Sequence, residues 1–98
     1  MGDRQRDQTA NYVFLEGICL SDPEEVSTTW GTALRCLLQV QGFYGPAEVT
    51  VMVRNTQDPE VNGLKKGVRV FVRGFIGEED GEVWIEVRGI FITGPAGL

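Results

Sequence analysis

Arginine and aromatic residues share one phase of a two-residue alternation in the last third of the chain. Valines at 68, 70 and 72 alternate with Arg69, Phe71 and Arg73, and the same alternation recurs around Trp84 and Arg88. Rings stack on bases while guanidinium groups neutralise phosphates, so this combination is typical of surfaces that bind single-stranded nucleic acid. The alternation predicts five outward arginines interleaved with two aromatics: Arg35, Arg54, Arg69, Arg73, Arg88, Phe71 and Trp84.

An alternative interpretation of this group is structural. Outward strand positions are often charged, and Phe71 or Trp84 would then pack in a subunit interface. The formal net charge of −5 also argues against a general nucleic-acid binder, because phosphate contacts need positive charge. The acids gather elsewhere, in the turn at Asp22, around Asp58 and in the segment that begins at Glu78.

Catalytic and metal-binding chemistry is poorly represented in the sequence. There is no histidine, which is the usual general base and metal ligand. The acidic pairs Glu24-Glu25 and Glu78-Glu79 fall in predicted turns, where such groups are usually solvated. No glycine-rich loop precedes a helix in the pattern of a phosphate-binding loop. We therefore expect neither an enzyme nor a cofactor.

The two cysteines indicate reduced, buried thiols. Cys19 and Cys36 lie in apolar strand segments without the Cys-x-x-Cys spacing. The first residues lack the apolar run of a signal peptide, and no run of about twenty apolar residues occurs. The sequence therefore predicts a cytoplasmic protein with no membrane association.

Alternation with a period of two predicts an all-β protein. We expect strands at about 12–20, 32–41 and 47–54, a fourth that begins at about 68 and a fifth at about 83, with Val83, Ile85 and Val87 inward. Asp58 and Pro59 suit the start of a short helix within 55–63. Asp80-Gly81 is a good pair for a tight hairpin turn.

This order of elements predicts a five-stranded OB-fold barrel with a short helix between strands three and four. Ninety-eight residues suffice for one such domain. We place it at residues 11–93, after a flexible N-terminal segment at 1–10 and before a short C-terminal end at 94–98.

The opening stretch "NYVFLEGICLSDPEEVSTTWGTA" resembles the bacterial single-stranded DNA-binding protein family, SSB. That family begins with Asn-x-x-x-Leu-x-Gly, continues with Asp-Pro-Glu and has Gly-x-Ala at the start of strand two. The matching residues are Asn11, Leu15, Gly17, Asp22, Pro23, Glu24, Gly31 and Ala33. "LKKGVRVFVRG" and "DGEVWIEV" are similar to the family's fourth strand and closing hairpin, so the resemblance covers about residues 11–93.

The resemblance implies single-stranded DNA binding in replication, repair or recombination. Phe43 or Tyr44, after strand two, would then stack on a base. The family's aromatic on strand three, its long basic hairpin and its acidic-tipped tail are absent from this sequence, which ends at Leu98. These departures leave open a protein-interaction OB module similar to the primosomal protein PriB, with replication proteins as partners.

Apolar residues at outward positions predict self-association. Leu37, Met52, Phe71 and Phe14 remain outside the predicted core, and contiguous exposed apolar patches are uncommon on monomers. The SSB family also assembles through strand one. We therefore expect a homodimer or homotetramer, in which Tyr12 and Phe14 lie in the core or an interface and Trp30 covers the barrel end or touches DNA.

Overall fold

The computed structural model describes residues 11–95. The predicted flexible segment 1–10 and the last three residues of the predicted C-terminal end lie outside this range. The described chain forms six strands and one short 3-10 helix. In chain order these are β1 (Val13–Cys19), β2 (Glu24–Thr28), β3 (Gly31–Gln41), β4 (Pro46–Val53), the 3-10 turn (Pro59–Gly63), β5 (Arg69–Glu79) and β6 (Glu82–Gly94).

The strands form one curved sheet that closes on itself. Its order is β1-β5-β6-β4-β3-β2, and an additional pairing of β1 with β3 completes the barrel. All pairings are antiparallel except that of β4 with β6. The predicted all-β barrel is therefore confirmed.

The barrel core follows the alternation seen in the sequence. One face of every strand except β2 supplies buried side chains, and this burial removes apolar surface from water. The largest of the fully buried side chains are Cys19, Cys36, Leu38, Val51, Val70 and Val72.

One strand was not predicted. The pattern predicted that the first strand ends at Asp22-Pro23 and that the next begins near residue 32. In the structure, Glu24–Thr28 forms β2 and pairs with the start of β3, from Glu24 opposite Arg35 to Thr28 opposite Gly31. A tight turn joins the two strands, and Gly31 supports it with a φ of +107°, a conformation that favours glycine. The predicted second strand is thus one half of a hairpin.

The hairpin between β5 and β6 has the predicted turn, and its two strands extend beyond the rest of the barrel. Asp80 and Gly81 have φ values of 53° and 86°, the positive values of a two-residue hairpin turn. The paired strands continue past their neighbours, since β1 pairs with β5 only up to Gly74. Val83 was predicted inward, yet it is 59% exposed because it lies beyond the end of the barrel.

The 3-10 turn lies between β4 and β5, where a short helix was predicted. Asp58 accepts a hydrogen bond from the backbone N–H of Glu60 at 3.0 Å, and Pro59 occupies the first position. Within residues 11–95, no helix is long and apolar enough to cross a membrane.

Candidate nucleic-acid interface

Five aromatic rings form a continuous row on the outside of β1, β5 and β6. Neighbouring ring centroids are 5.0 Å (Phe75–Tyr12), 5.7 Å (Tyr12–Phe14), 6.3 Å (Phe14–Phe71) and 6.5 Å (Phe71–Phe91) apart. Tyr12 and Phe14 are about 60% exposed, so they do not lie in the barrel core, and their predicted place in a subunit interface stays a prediction. We call these five residues the aromatic row.

Three predicted arginines accompany the aromatic row. Arg73 is paired with Phe14 in the β1–β5 ladder, and the Arg88 guanidinium lies 5.5 Å from the centroid of the Phe75 ring. Arg69 precedes Phe71 by two positions on the same face, and all three arginines are exposed. Within residues 11–95, neither of the two ion pairs involves any of them. The row is therefore bordered by positive charge that these pairs do not neutralise.

A β-bulge brings Phe91 into the row. The register of β5 and β6 shifts between Arg73, which faces Gly89, and Gly74, which faces Val87, so Arg88 is the extra residue. The extra residue reverses the alternation along β6. Ile90 is consequently buried, while Phe91 points outward and is 49% exposed. Phe91 was not predicted in the site, because regular alternation would place it on the inward side together with the buried Ile85.

Two other predicted arginines lie on a different part of the barrel and are paired with glutamates. Arg35 binds Glu24 at 2.7 Å on the exposed surface of β2 and β3. Arg54 binds Glu86 through two hydrogen bonds of 2.6 and 3.2 Å, and its third contact is the Thr28 hydroxyl. The structure therefore does not bring these two arginines together with Arg69, Arg73 and Arg88.

Trp84 belongs to this second region. Its indole N–H donates to Glu86 at 2.9 Å, and its ring packs over Gly77. It lines a groove between the β2–β3 turn and the β5–β6 turn, together with Trp30. The acid that it contacts, Glu86, does not favour a phosphate nearby. The predicted role of Trp84 in DNA binding stays a prediction.

The predicted aromatics after β3 form a third, separate feature. Phe43 and Tyr44 lie in the turn between β3 and β4, with exposures of 92% and 97%. Their rings meet edge to face at 4.8 Å. Such exposure leaves ring surface accessible to a base. Their predicted role in base stacking stays a prediction.

The outward apolar residues that predicted self-association do not form one patch. Phe14 and Phe71 belong to the aromatic row. Leu37 and Met52 lie on β3 and β4, opposite Thr50 and Arg35. The aromatic row is a continuous series of five rings, whereas Leu37 and Met52 lie apart from it on another pair of strands.

The cysteines are free and buried, as predicted. The Cys36 thiol donates a hydrogen bond to the Cys19 sulfur. This bond, together with burial, raises the pKa of Cys36 far above its ordinary value, and the same bond lowers the pKa of Cys19. Among residues 11–95, no group of three or more histidine, cysteine or acidic side chains is placed to hold a metal ion.

No protein-family model and no curated protein matches the chain. Solved structures do match its fold. The mitochondrial single-stranded DNA-binding protein from S. cerevisiae is 17% identical, with a TM-score of 0.70 over 91% of this chain and 100% of that one. The small single-stranded DNA-binding protein from Streptomyces coelicolor is also 17% identical, with a TM-score of 0.70 over 87% of this chain and 96% of that one.

A PriB structure matches as well. The dimeric N-terminal domain of PriB from Thermoanaerobacter tencongensis is 19% identical, with a TM-score of 0.65 over 85% of this chain and 96% of that one. The chain therefore has the OB fold, with the architecture of the SSB and PriB proteins, and the predicted fold class is confirmed. At these identities, the likeness establishes the fold alone.

Proposed function

We propose that this protein binds single-stranded DNA, without catalysis, through the aromatic row and its three arginines, and acts in replication, repair or recombination. The observation that supports this function most directly is the juxtaposition of five outward rings with Arg69, Arg73 and Arg88. The two matching structures of single-stranded DNA-binding proteins support the same class of ligand.

The chemistry of the row suits a single strand and not a duplex. Bases that are free of a partner strand can stack on Tyr12, Phe14 or Phe71, each stack contributing about 1–3 kcal/mol, with little preference for sequence. The arginines that border the rings neutralise phosphates and release counterions. Two acids lie beside these rings. Glu16 is opposite Phe71 in the β1–β5 register and accepts a hydrogen bond from Thr93, and Glu86 is opposite Phe75 in the β5–β6 register and is paired with Arg54.

Binding of labelled oligo-dT, followed by fluorescence anisotropy at several salt concentrations, tests this function. We expect a Kd in the micromolar range or tighter at moderate salt. Arg73→Ala and Arg88→Ala should each reduce the slope of log affinity against log salt by roughly 0.7, the value for one contact with a single strand. Arg35→Ala is the matched control, because it removes the same charge from an exposed ion pair outside the row.

Phe71→Ala separates stacking from charge. It should cost about 1–3 kcal/mol of binding free energy while leaving the salt slope nearly unchanged. Phe43→Ala and Tyr44→Ala test whether the strand also reaches the β3–β4 turn. If Arg73→Ala, Arg88→Ala and Phe71→Ala all bind oligo-dT like the parent protein while remaining folded, the row is not the DNA site.

A protein-interaction module is the second candidate function. It is favoured by the net charge of −5, by the neutralised arginines Arg35 and Arg54 and by the match to PriB. The row would then contact a protein, either another copy of this chain or a replication protein. Absence of oligo-dT binding even at low salt would favour this candidate over the first.

A further inference from the structure

Both tryptophans of the chain line one groove, which lies beyond the Phe75 end of the aromatic row. This groove, here called the tip groove, lies between the β2–β3 turn and the β5–β6 turn, and its volume is about 290 Å³. We propose that the tip groove binds an arginine side chain from a basic segment of a protein partner. The inference does not depend on DNA binding by the row.

One wall of the tip groove is fixed before any ligand arrives. The Glu86 carboxylate accepts hydrogen bonds from the Trp84 indole and from two nitrogens of Arg54. The Trp84 ring also lies close against Gly77, where an added Cβ would come within 2.7 Å of the indole. These contacts hold the Trp84 ring in one orientation, so little side-chain entropy of Trp84 is lost when a ligand binds.

The β2–β3 turn contributes an exposed ring to the tip groove, which Glu79 also lines. Trp30, in the β2–β3 turn, is 72% exposed. Its neighbour Thr29 donates a hydrogen bond to Glu79 of β5 at 3.1 Å, which connects the two turns. A planar guanidinium can stack on an indole ring and pair with a nearby carboxylate at the same time.

The charges of the tip groove favour a cation over a phosphate. Arg35 and Arg54 line it, but each is already paired with a glutamate. Glu79 and Glu82 also line it, and neither takes part in an ion pair among residues 11–95. The balance is therefore acidic, and nucleic acid would be repelled where a basic segment is attracted.

The shape of the surface suits a segment of chain and not an isolated ion. A second cavity of about 260 Å³ adjoins the first, and the two share Arg35, Met52, Glu82 and Trp84. The second cavity extends the groove towards Thr50 and Val83. An arginine in the tip groove would leave room for its neighbours along this extension.

Titration with a hexa-arginine peptide, read by intrinsic tryptophan fluorescence, tests the proposal. We expect a saturable change, with hexa-lysine binding more weakly because an ammonium group does not stack. Trp30→Ala should weaken hexa-arginine binding about tenfold, as expected for loss of a cation–π contact in a partly desolvated site. The double variant Glu79→Gln with Glu82→Gln should weaken hexa-arginine binding by a similar factor. Trp84 is present in every variant and reports binding by its fluorescence.

A matched variant separates the groove from general attraction to an acidic protein. Glu25→Gln with Glu48→Gln removes the same charge at exposed positions that line neither the tip groove nor the aromatic row, so its binding should stay close to that of the parent. Equal weakening in both double variants, or no fluorescence change at millimolar peptide, would overturn the proposal. A fluorescence response to oligo-dT but not to hexa-arginine would instead assign the groove to nucleic acid.

Discussion

Arg54 and Glu86 form a two-point ion pair across β4 and β6, with N–O distances of 2.6 and 3.2 Å. Both side chains are about one quarter exposed. The sequence assigned Arg54 to the DNA surface because its phase of alternation points outward. In the structure, it organises the wall of the tip groove by holding the carboxylate that also binds Trp84.

Loss of this pair should destabilise the fold. Arg54→Ala leaves Glu86 with only the indole N–H, so we expect the free energy of unfolding to fall by about 1–3 kcal/mol, the range for hydrogen bonds to charged groups. Arg35→Ala, in the more exposed pair with Glu24, should cost less than about 1 kcal/mol. Urea denaturation measures both. Equal costs would contradict the distinction between the two pairs.

Intrinsic fluorescence should not detect DNA on the aromatic row. Because Trp30 and Trp84 both line the tip groove, oligo-dT bound at the row should raise the anisotropy of a labelled strand without quenching tryptophan emission. Strong quenching by oligo-dT would show that the strand reaches the groove. Trp84→Ala would then weaken binding by about 1–3 kcal/mol, the range for one stacked base.

The protein should form a homodimer or homotetramer. Light scattering should report a multiple of the chain mass of 10.8 kDa at micromolar concentration. Phe14→Ala should shift the mass towards one chain, because this ring is 61% exposed within the row. A mass of one chain for the unmodified protein would contradict the prediction.

The same experiment decides between two uses of the aromatic row. A ring buried between copies cannot also stack on a base. If Phe71→Ala prevents self-association yet leaves oligo-dT binding unchanged, the row is a protein interface and the second candidate function leads.

The thiols should be inert in the folded protein. Cys19 and Cys36 are each 1% exposed, so a reagent does not reach either sulfur in the closed barrel. The raised pKa of Cys36 also keeps its thiol protonated, whereas the pKa of Cys19 is lowered by the hydrogen bond from Cys36, so Cys19 is protected by burial alone. We expect almost no reaction with an aromatic disulfide reagent at mildly alkaline pH, and reaction of both thiols once denaturant is added. Rapid labelling of either thiol before unfolding would show that the barrel opens locally at this point.

The sequence predicted the barrel well because burial alternates regularly in most strands. Val70 and Val72 are buried and Arg69 and Arg73 exposed, as a period of two requires. β2 was missed because Asp22-Pro23 is also a good turn signal and the strand is short and largely polar. The full row was missed because the bulge at Arg88, which no local sequence signal marks, changes the phase that places Phe91.

Ion pairing also could not be read from the sequence. Alternation predicts that the side chains of Arg54 and Arg73 both point away from the core. It does not predict which of the two forms an ion pair with a glutamate of a distant strand. Glu86 lies 32 positions from Arg54, and only the β4–β6 pairing brings the two together. The candidate site was therefore predictable in its residue types and not in its division between two surfaces.

The closure of the barrel has a mechanical consequence. β1 meets β3 only at Ile18–Gln39 and Cys19–Leu38, whereas it runs beside β5 from Val13 to Ile18. The shorter contact is the weaker join, so a fluctuation should part β1 from β3 while β1 stays with β5. Opening of this kind would turn the closed cylinder briefly into an open, twisted sheet, and amide hydrogen exchange should be faster at this join than along the β1–β5 ladder.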